Sequence, residues 1–213
     1  MAPTNEQMYQ ALIKRHGEAL QKQFDKASVA ICGLGGLGSN VAVSLARAGV
    51  GHLHLIDFDR VDVSNLNRQQ YFPEQVGEYK SEALPQTIKR IAPFIRITSQ
   101  TVRLTEDNIP SILEPYDIIC EAFDKADQKA MLINCALEKL PGKYIVSGNG
   151  MAGLDSANSI VTRRVGSRLF ICGDGSSDIA DGLSLISARV AVCAAHQATV
   201  ILRLIAGLEN NEK

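Results

Sequence analysis

Short apolar runs alternate with amphipathic stretches along most of the chain. Apolar or alternating runs of about four to eight residues are typical of strands, whereas apolar residues three or four positions apart are typical of helices. This pattern predicts strands at Ser28–Leu34, His52–Ile56, Ile95–Leu104, Asp117–Ala122 and Lys143–Ser147. It predicts helices at Asn5–Phe24, Ser39–Ala48, Glu78–Ile91, Thr105–Leu113 (with Thr105 as its candidate cap) and Asp127–Leu140.

The pattern changes in the last third of the chain. Two strand-like segments, Asn158–Arg164 and Arg168–Cys172, predict an antiparallel pair, and Ser184–Ala206 predicts a long final helix. Strands that alternate with helices indicate a mostly parallel sheet covered on both faces. The predicted fold class is therefore α/β, with a Rossmann-like sheet, an N-terminal helix and a C-terminal antiparallel extension. We expect one domain over residues 1–213.

Composition and charge argue against several classes of protein. The formal net charge is -1, so we expect neither nucleic acid nor an anionic membrane as a partner. The five cysteines form no CxxC pair, which predicts neither a disulfide framework nor a zinc site. The N-terminus lacks the apolar core of a signal peptide, and a cytoplasmic location fits best. The apolar C-terminal segment predicts a buried or interface helix rather than a membrane span, and we interpret His196 and Gln197 within it as hydrogen-bonded polar groups.

The sharpest local signal is the sequence GLGGLG at residues 33–38, between a predicted strand and a predicted helix. Glycines there allow a tight turn and let a phosphate approach the main chain at the N-terminus of the helix. Asp57 ends the next strand, where an acidic side chain commonly binds ribose hydroxyls. These features predict a nucleotide site and do not distinguish NAD from ATP.

Polar and basic residues after Asp57 favour ATP. Asn65, Arg68 and Lys80 follow within one loop and the helix after it. A dinucleotide site does not need these groups, whereas a triphosphate needs cations that balance its charge while pyrophosphate leaves. The sequence therefore favours an ATP-using enzyme over an oxidoreductase.

A longer segment carries a specific resemblance. From residue 33 the chain reads GLGGLGSNVAVSLARAGVGHLHLIDFDRVDVSNLNRQ, and this segment resembles the ThiF/MoeB/HesA family, relatives of the ubiquitin-activating enzymes. The resemblance continues through Lys80, Asp124 and the later segments SGNGMAGLDSAN, FICGDG and ARVAVCAAHQATVILRLIAG, which are similar to a short ThiF-type subgroup.

This resemblance implies an activity and its partners. Such enzymes use ATP and Mg²⁺ to adenylylate the C-terminal Gly-Gly carboxylate of a small ubiquitin-like sulfur carrier, and they release pyrophosphate. A ThiS-like carrier of thiamine thiazole synthesis is the leading expectation, followed by a molybdopterin-type or other carrier. A homodimer is also implied.

The resemblance assigns roles only at positions that match the family's motifs. Arg68, Lys80 and Asp124 match positions that act in catalysis, and Asp124 also matches the metal position. The nucleotide contacts match Arg68 and Lys80 together with Gly35, Gly36, Gly38, Asp57, Asp59 and Asn65. Arg15 is a candidate for an arginine donated by a second subunit, and a plain helix-surface charge is the alternative.

The sequence departs from the family pattern in two places. Asp124 is followed by Lys125, where relatives often have asparagine, so Asp127 is an alternative to Asp124. The region of the crossover loop is short and has no cysteine. Cys172 lies just before it, and we interpret it as a core thiol rather than a carrier-linked one.

Functions of other kinds stay open. An NAD-dependent oxidoreductase would explain GLGGLG and Asp57 but leaves Asn65, Arg68 and Lys80 without roles. A non-catalytic module that binds a nucleotide or a carrier is the second alternative. Within the family, adenylylation of an RNA base is a third, although such relatives are usually longer and more basic.

Overall fold

The computed structural model describes residues 3–208, which form a seven-stranded sheet flanked by helices. The strands are β1 (Ser28–Cys32), β2 (His52–Ile56), β3 (Arg96–Gln100), β4 (Ile118–Glu121), β5 (Tyr144–Gly148), β6 (Val161–Val165) and β7 (Leu169–Gly173). The helices are α1 (Asn5–His16), α2 (Glu18–Lys26), α3 (Gly36–Ala48), α4 (Lys80–Ile91), α5 (Ile109–Leu113), α6 (Ala126–Lys139) and α7 (Ser187–Ile205). The prediction of one domain over residues 1–213 extends at both ends beyond the described residues.

The strand order is β3-β2-β1-β4-β5-β7-β6. All neighbouring pairs are parallel except β6 and β7, which are antiparallel. The chain moves outward from β1 in one direction through β2 and β3, and then continues on the other side with β4. Such a reversal leaves a crevice at the carboxyl ends of β1 and β4, where ligands bind in sheets of this kind.

Apolar residues fill both faces of the sheet. On one face the core includes side chains of α3, α4 and α7, and on the other it includes side chains of α5 and α6. The central strands are buried along their length, which explains why their sequences are continuously apolar. The predicted α/β fold with an antiparallel extension is confirmed.

The last helix was predicted to be buried or to lie at an interface. By length and composition α7 could cross a bilayer, since it has 19 residues and an 18-residue window within it has a mean hydropathy of 1.4. In the structure it packs on α3 and on strands β4 to β7. Its residues Cys193, Ala194, Gln197 and Ile201 are buried. Its apolar surface is therefore used by the core of this fold.

Several predicted boundaries were wrong for local reasons. The N-terminal helix is two helices, because Gly17 takes a φ of 91° and breaks it. Thr105 does not cap α5: its carbonyl accepts the Asn108 and Ile109 amides, and α5 begins only at Ile109. The strand predicted at Ile95–Leu104 forms ladder bonds only over Arg96–Gln100.

Two glycines of the turn after β1 differ in the space that is available for a side chain. We expect Gly38→Ala to lower the free energy of unfolding by about 1–3 kcal/mol or more, because its Cβ would overlap the Gly33 carbonyl oxygen. Gly35→Ala is the matched control, since the nearest atom to its Cβ is Gln69 Nε2 at 3.8 Å and its φ is -77°. Urea denaturation of both variants measures the difference, and equal costs would contradict this account of the turn.

Candidate functional site

A cavity of about 770 Å³ lies at the carboxyl ends of the parallel strands. Its walls come from the glycine turn after β1, the loop after β2, the loop after β4 and the segments that follow β5 and β7. The sequence therefore predicted the edge of the sheet at which the cavity lies. Apart from Gly38 and Arg15, all the predicted site residues line it: Gly35, Gly36, Asp57, Asp59, Asn65, Arg68, Lys80 and Asp124.

The glycine turn brings main chain to the cavity without side chains in between. Gly33 has a φ of 90°, and a Cβ there would lie 2.8 Å from the carbonyl oxygen of Ala122 on the neighbouring strand's end. Gly35 is the N-cap of α3, and no side chain caps this helix. The unpaired N–H groups and the positive dipole end of α3 therefore face the cavity, as an anion site requires.

Asp57 holds the turn from the end of β2. Its Oδ2 accepts the Leu34 amide at 2.6 Å, and its Oδ1 accepts the Asp59 amide at 2.7 Å. The side chain is buried, and burial raises the pKa of Asp57, although Lys80 and the two amides oppose this effect. Each carboxylate oxygen keeps a free lone pair, so Asp57 can also accept from a ligand hydroxyl.

The loop between β2 and α4 folds back on itself and so places Lys80 at the cavity. Arg60 and Tyr79 form an isolated antiparallel bridge, and the Arg60 guanidinium lies 3.8 Å from the centre of the Tyr79 ring. Lys80 follows as the first residue of α4, and its amide donates to the Asp59 carbonyl at 2.9 Å. Its Nζ lies 3.4 Å from Asp59 Oδ2, so a mostly buried cation is placed beside the acidic strand end.

A short turn places Arg68 and Gln69 against the glycines. The carbonyl of Asn65 accepts the amides of both residues, and Asn40 Nδ2 donates to the carbonyls of Gly36 and Arg68 at 2.7 and 3.0 Å. Asn40 was not predicted as a site residue. Its role depends on contacts between α3 and a loop 28 positions later, which no local pattern shows.

Two buried polar atoms beside this turn have no hydrogen-bond partner, Arg68 Nε and Gln69 Oε1. Unpaired buried polar atoms are costly, and native proteins rarely leave them without a use. Both side chains line the cavity next to open glycine main chain. The arrangement fits a polar, anionic ligand.

The remaining predicted residues differ in their placement. Asp124 and its alternative Asp127 are both exposed on the cavity wall at the start of α6. Within residues 3–208, no group of three or more His, Cys, Asp or Glu side chains could hold a metal by itself. Gly38 lies behind the turn, against Gly33 and Ala122.

Arg15 lies away from the cavity. It is exposed in the last turn of α1, and the α1–α2 pair packs at the C-terminal end of α3, where Gln21 Nε2 donates to the Gly49 carbonyl. The cavity is at the other end of this 13-residue helix, about 20 Å away. Within one chain Arg15 is therefore not part of the site.

An ion pair supports the loops at the cavity mouth. Arg189 Nη2 and Asp174 Oδ2 are 2.6 Å apart, and both side chains are buried. Arg189 Nη1 also donates to the carbonyls of Asp155 and Ser156. One guanidinium at the start of α7 thus joins the loop after β5 to the loop after β7. The sequence analysis did not identify this role of Arg189.

Cys172, His196 and Gln197 have the environments that the sequence predicted. The Cys172 thiol is fully buried in the core. His196 Nδ1 pairs with Thr162 Oγ1 at 3.1 Å, and Gln197 Nε2 donates to the Glu121 carbonyl at 3.0 Å. A fully buried thiol is not placed to form a bond to a partner protein.

A comparison of the sequence with models of known families decides what kind of protein this is. The model of the ThiF family matches residues 8–213. The chain belongs to the ThiF family. The resemblance inferred from the motifs is thereby confirmed.

Curated relatives in the ThiF family match over part of their length. A sulfur carrier protein adenylyltransferase of Thermus thermophilus is 37% identical over 140 residues, 65% of this chain and 51% of the relative. The adenylyltransferase and sulfurtransferase MOCS3 of Caenorhabditis briggsae is 35% identical over 144 residues, 67% of this chain and 35% of the relative. This chain thus spans about half, or less, of the curated relatives it matches.

Solved structures share the fold. The tRNA N6-threonylcarbamoyladenosine dehydratase TcdA of E. coli, in complex with ATP, has a TM-score of 0.84 at 23% identity, and the match covers 98% of this chain and 97% of that one. MccB of E. coli with ATP has a TM-score of 0.69 at 21% identity over 89% of this chain and 58% of that one. At these identities the likeness shows the ThiF-type fold alone.

We expect Arg189→Met to lower the free energy of unfolding by about 3–5 kcal/mol, because it leaves the buried Asp174 carboxylate unpaired. Arg47→Met, at an exposed position of α3, is the control and should change stability by less than about 0.5 kcal/mol. Chemical denaturation measures both, and equal effects would contradict the role given to Arg189.

The same ion pair has a pH signature. Burial alone would raise the pKa of Asp174, but hydrogen bonds from Ser177, Ser176 and Arg189 outweigh it and hold the pKa well below its usual range. The stability that Asp174 contributes is therefore complete above its unfolded pKa of about 3.9 and is lost as the pH falls below that value. The stability difference between wild type and Asp174→Asn should shrink in that window, as denaturation at several pH values would show.

Proposed function

We propose that the chain uses ATP to adenylylate the C-terminal carboxylate of a small ubiquitin-like sulfur carrier protein. One observation carries the proposal: an uncapped glycine turn, Asp57, and the cations Arg68 and Lys80 line the same cavity. A nucleotide with several phosphates needs all three features in one place. The named activity of the Thermus relative, a sulfur carrier protein adenylyltransferase, supports the choice of reaction.

ATP fits the groups that the cavity offers. The triphosphate would lie over Gly35 and Gly36, where the main chain is open and α3 presents its positive end. Asp57 would accept from the ribose hydroxyls with the lone pairs that its two amide bonds leave free. Arg68 lies beside Gly36 with its Nε unpaired, ready to donate to phosphate.

The reaction needs charge stabilisation more than proton transfer. A terminal carboxylate is already ionised at neutral pH, so no general base is required. Its oxygen attacks the α-phosphorus, the bond from that phosphorus to the bridging oxygen breaks, and pyrophosphate leaves with the negative charge. Arg68 and Lys80 would stabilise the charge on the phosphates during this step, and the cavity walls would hold the reactants in line.

Asp124 is the residue we assign to Mg²⁺. Magnesium is commonly held by one or two carboxylates together with substrate phosphates, and the exposed carboxylates of Asp124 and Asp127 on the cavity wall fit that pattern. When bound, the ion would neutralise phosphate charge. We propose no zinc, because the cysteines include no CxxC pair.

The carrier and the assembly belong to the same proposal. A ThiS-like protein of thiamine thiazole synthesis is the leading carrier, and a molybdopterin-type carrier is next. We propose a cytoplasmic homodimer in which Arg15 reaches the partner's cavity, since within one chain it lies at the opposite edge of the sheet. An NAD-dependent oxidoreductase is less well supported, because it gives Arg68 and Lys80 no task.

Carrier-dependent exchange of labelled pyrophosphate into ATP tests the reaction. We expect exchange with magnesium and a ThiS-like protein, and none when the terminal glycine of that protein is deleted. Exchange only with another Gly-Gly carrier would keep the chemistry and replace the pathway. Tight ATP binding without exchange for every carrier would overturn the proposal in favour of a non-catalytic module or an RNA-directed enzyme.

Lys80→Met should reduce the maximum exchange rate by about 100- to 1,000-fold, because it removes a preorganised cation from the phosphates. Lys89→Met, at an exposed position of the same helix, is the matched control and should exchange at the wild-type rate. The measured quantity is the rate of pyrophosphate exchange at saturating ATP and carrier. Parallel losses in the two variants would contradict the role of Lys80.

A further inference from the structure

A charged side chain lies completely buried beneath the cavity. Glu121 is the last residue of β4, and its exposed fraction is 0%. It stands three residues before Asp124, at the base of the loop that leads into α6. Burying a carboxylate is costly unless it is paired and hydrogen-bonded, so the partners of Glu121 must offset the cost of its burial.

Three partners hold this carboxylate from different elements. Lys129 Nζ of α6 lies 3.1 and 2.8 Å from the two oxygens, and Ser147 Oγ of β5 donates to Oε2 at 2.6 Å. The amide of Phe123 donates to Oε1 at 2.7 Å. Glu121 therefore joins the loop, the following helix and the next strand, and Lys129 itself lines the cavity.

The main chain below the carboxylate is also fixed. Gln197 Nε2 of α7 donates to the carbonyl of Glu121 at 3.0 Å and to that of Val146 at 3.3 Å. The ends of β4 and β5 are thus tied to the core helix at the level where the cavity begins. The loop that carries Asp124 starts at this point, and the Glu121 carboxylate holds the Phe123 amide at its base.

We propose that Glu121 is a positioning residue, which acts through Phe123 and Lys129 to hold Asp124 on the cavity wall. The inference rests on the proposed adenylylation, in which Asp124 faces the phosphates. The Glu121–Lys129 salt bridge lies under the loop that carries Asp124, the carboxylate that we assign to the metal. Residues that orient such ligands commonly matter to activity almost as much as the ligands.

The primary test compares Glu121→Gln with the control Glu138→Gln, an exposed position on α6. We expect Glu121→Gln to lower the maximum exchange rate by about 10- to 100-fold, with the Kd of ATP measured without magnesium unchanged. Hydrogen exchange at the Phe123 and Asp124 amides should become faster in this variant only. Unchanged protection of these amides would overturn the proposal.

Glu121→Gln also leaves the Lys129 ammonium without its carboxylate partner, and this unpaired charge could destabilise the fold. The double variant Glu121→Gln with Lys129→Met removes both charges together and so avoids the unpaired charge. It should keep a cooperative thermal transition and show the same faster amide exchange. A double variant with wild-type amide protection and wild-type activity would overturn the positioning role.

A double-mutant cycle with Asp124→Asn separates positioning from general stability. If Glu121 acts through Asp124, Glu121→Gln should lower the exchange rate no further once Asp124 is replaced. Fully additive losses would overturn the inference, and so would a wild-type rate in Asp124→Asn. If none of the carriers supports exchange by the wild-type protein, the proposed function fails instead. The positioning role is then decided by the same double-mutant cycle, with the Kd of magnesium-ATP as the measured quantity.

Discussion

The close approach of main chain at the glycine turn is the constraint on which the site depends. Gly38 packs against the carbonyl of Gly33, and Gly33 packs against the end of β4 at Ala122. Asp57 then fixes the turn from β2 through the Leu34 amide. The ends of β1, β2 and β4 therefore meet at one point, and the N-terminus of α3 opens into the space above them.

Charge around this point is arranged in layers. Arg68 approaches the cavity from the loop after β2 and Lys80 from the start of α4, whereas Asp57 directly follows β2 and Asp124 lies just before α6. Below them, the buried Glu121 carboxylate is neutralised within the protein, so it contributes geometry rather than net charge. Such an arrangement suits a reaction in which positioning and electrostatic stabilisation do most of the catalysis.

The rim of the cavity depends on a different interaction. Arg189, at the start of α7, fastens the loops that follow β5 and β7 through one buried guanidinium. The core helix therefore supports the site twice, since Gln197 fixes the strand ends and Arg189 fixes the overhanging loops. This double role explains why polar residues interrupt a helix that is otherwise apolar enough to cross a membrane.

The sequence by itself determined the order of strands and helices, the glycine turn and the acidic strand end, because each rests on local periodicity or on a backbone demand. It misjudged Gly17 and Thr105, where a single backbone angle or turn decides the boundary. Only the tertiary structure placed Lys80 beside Asp59 and buried Glu121 under the cavity. Those contacts join residues far apart in the chain or in different layers, so their energies come from packing that no local pattern encodes.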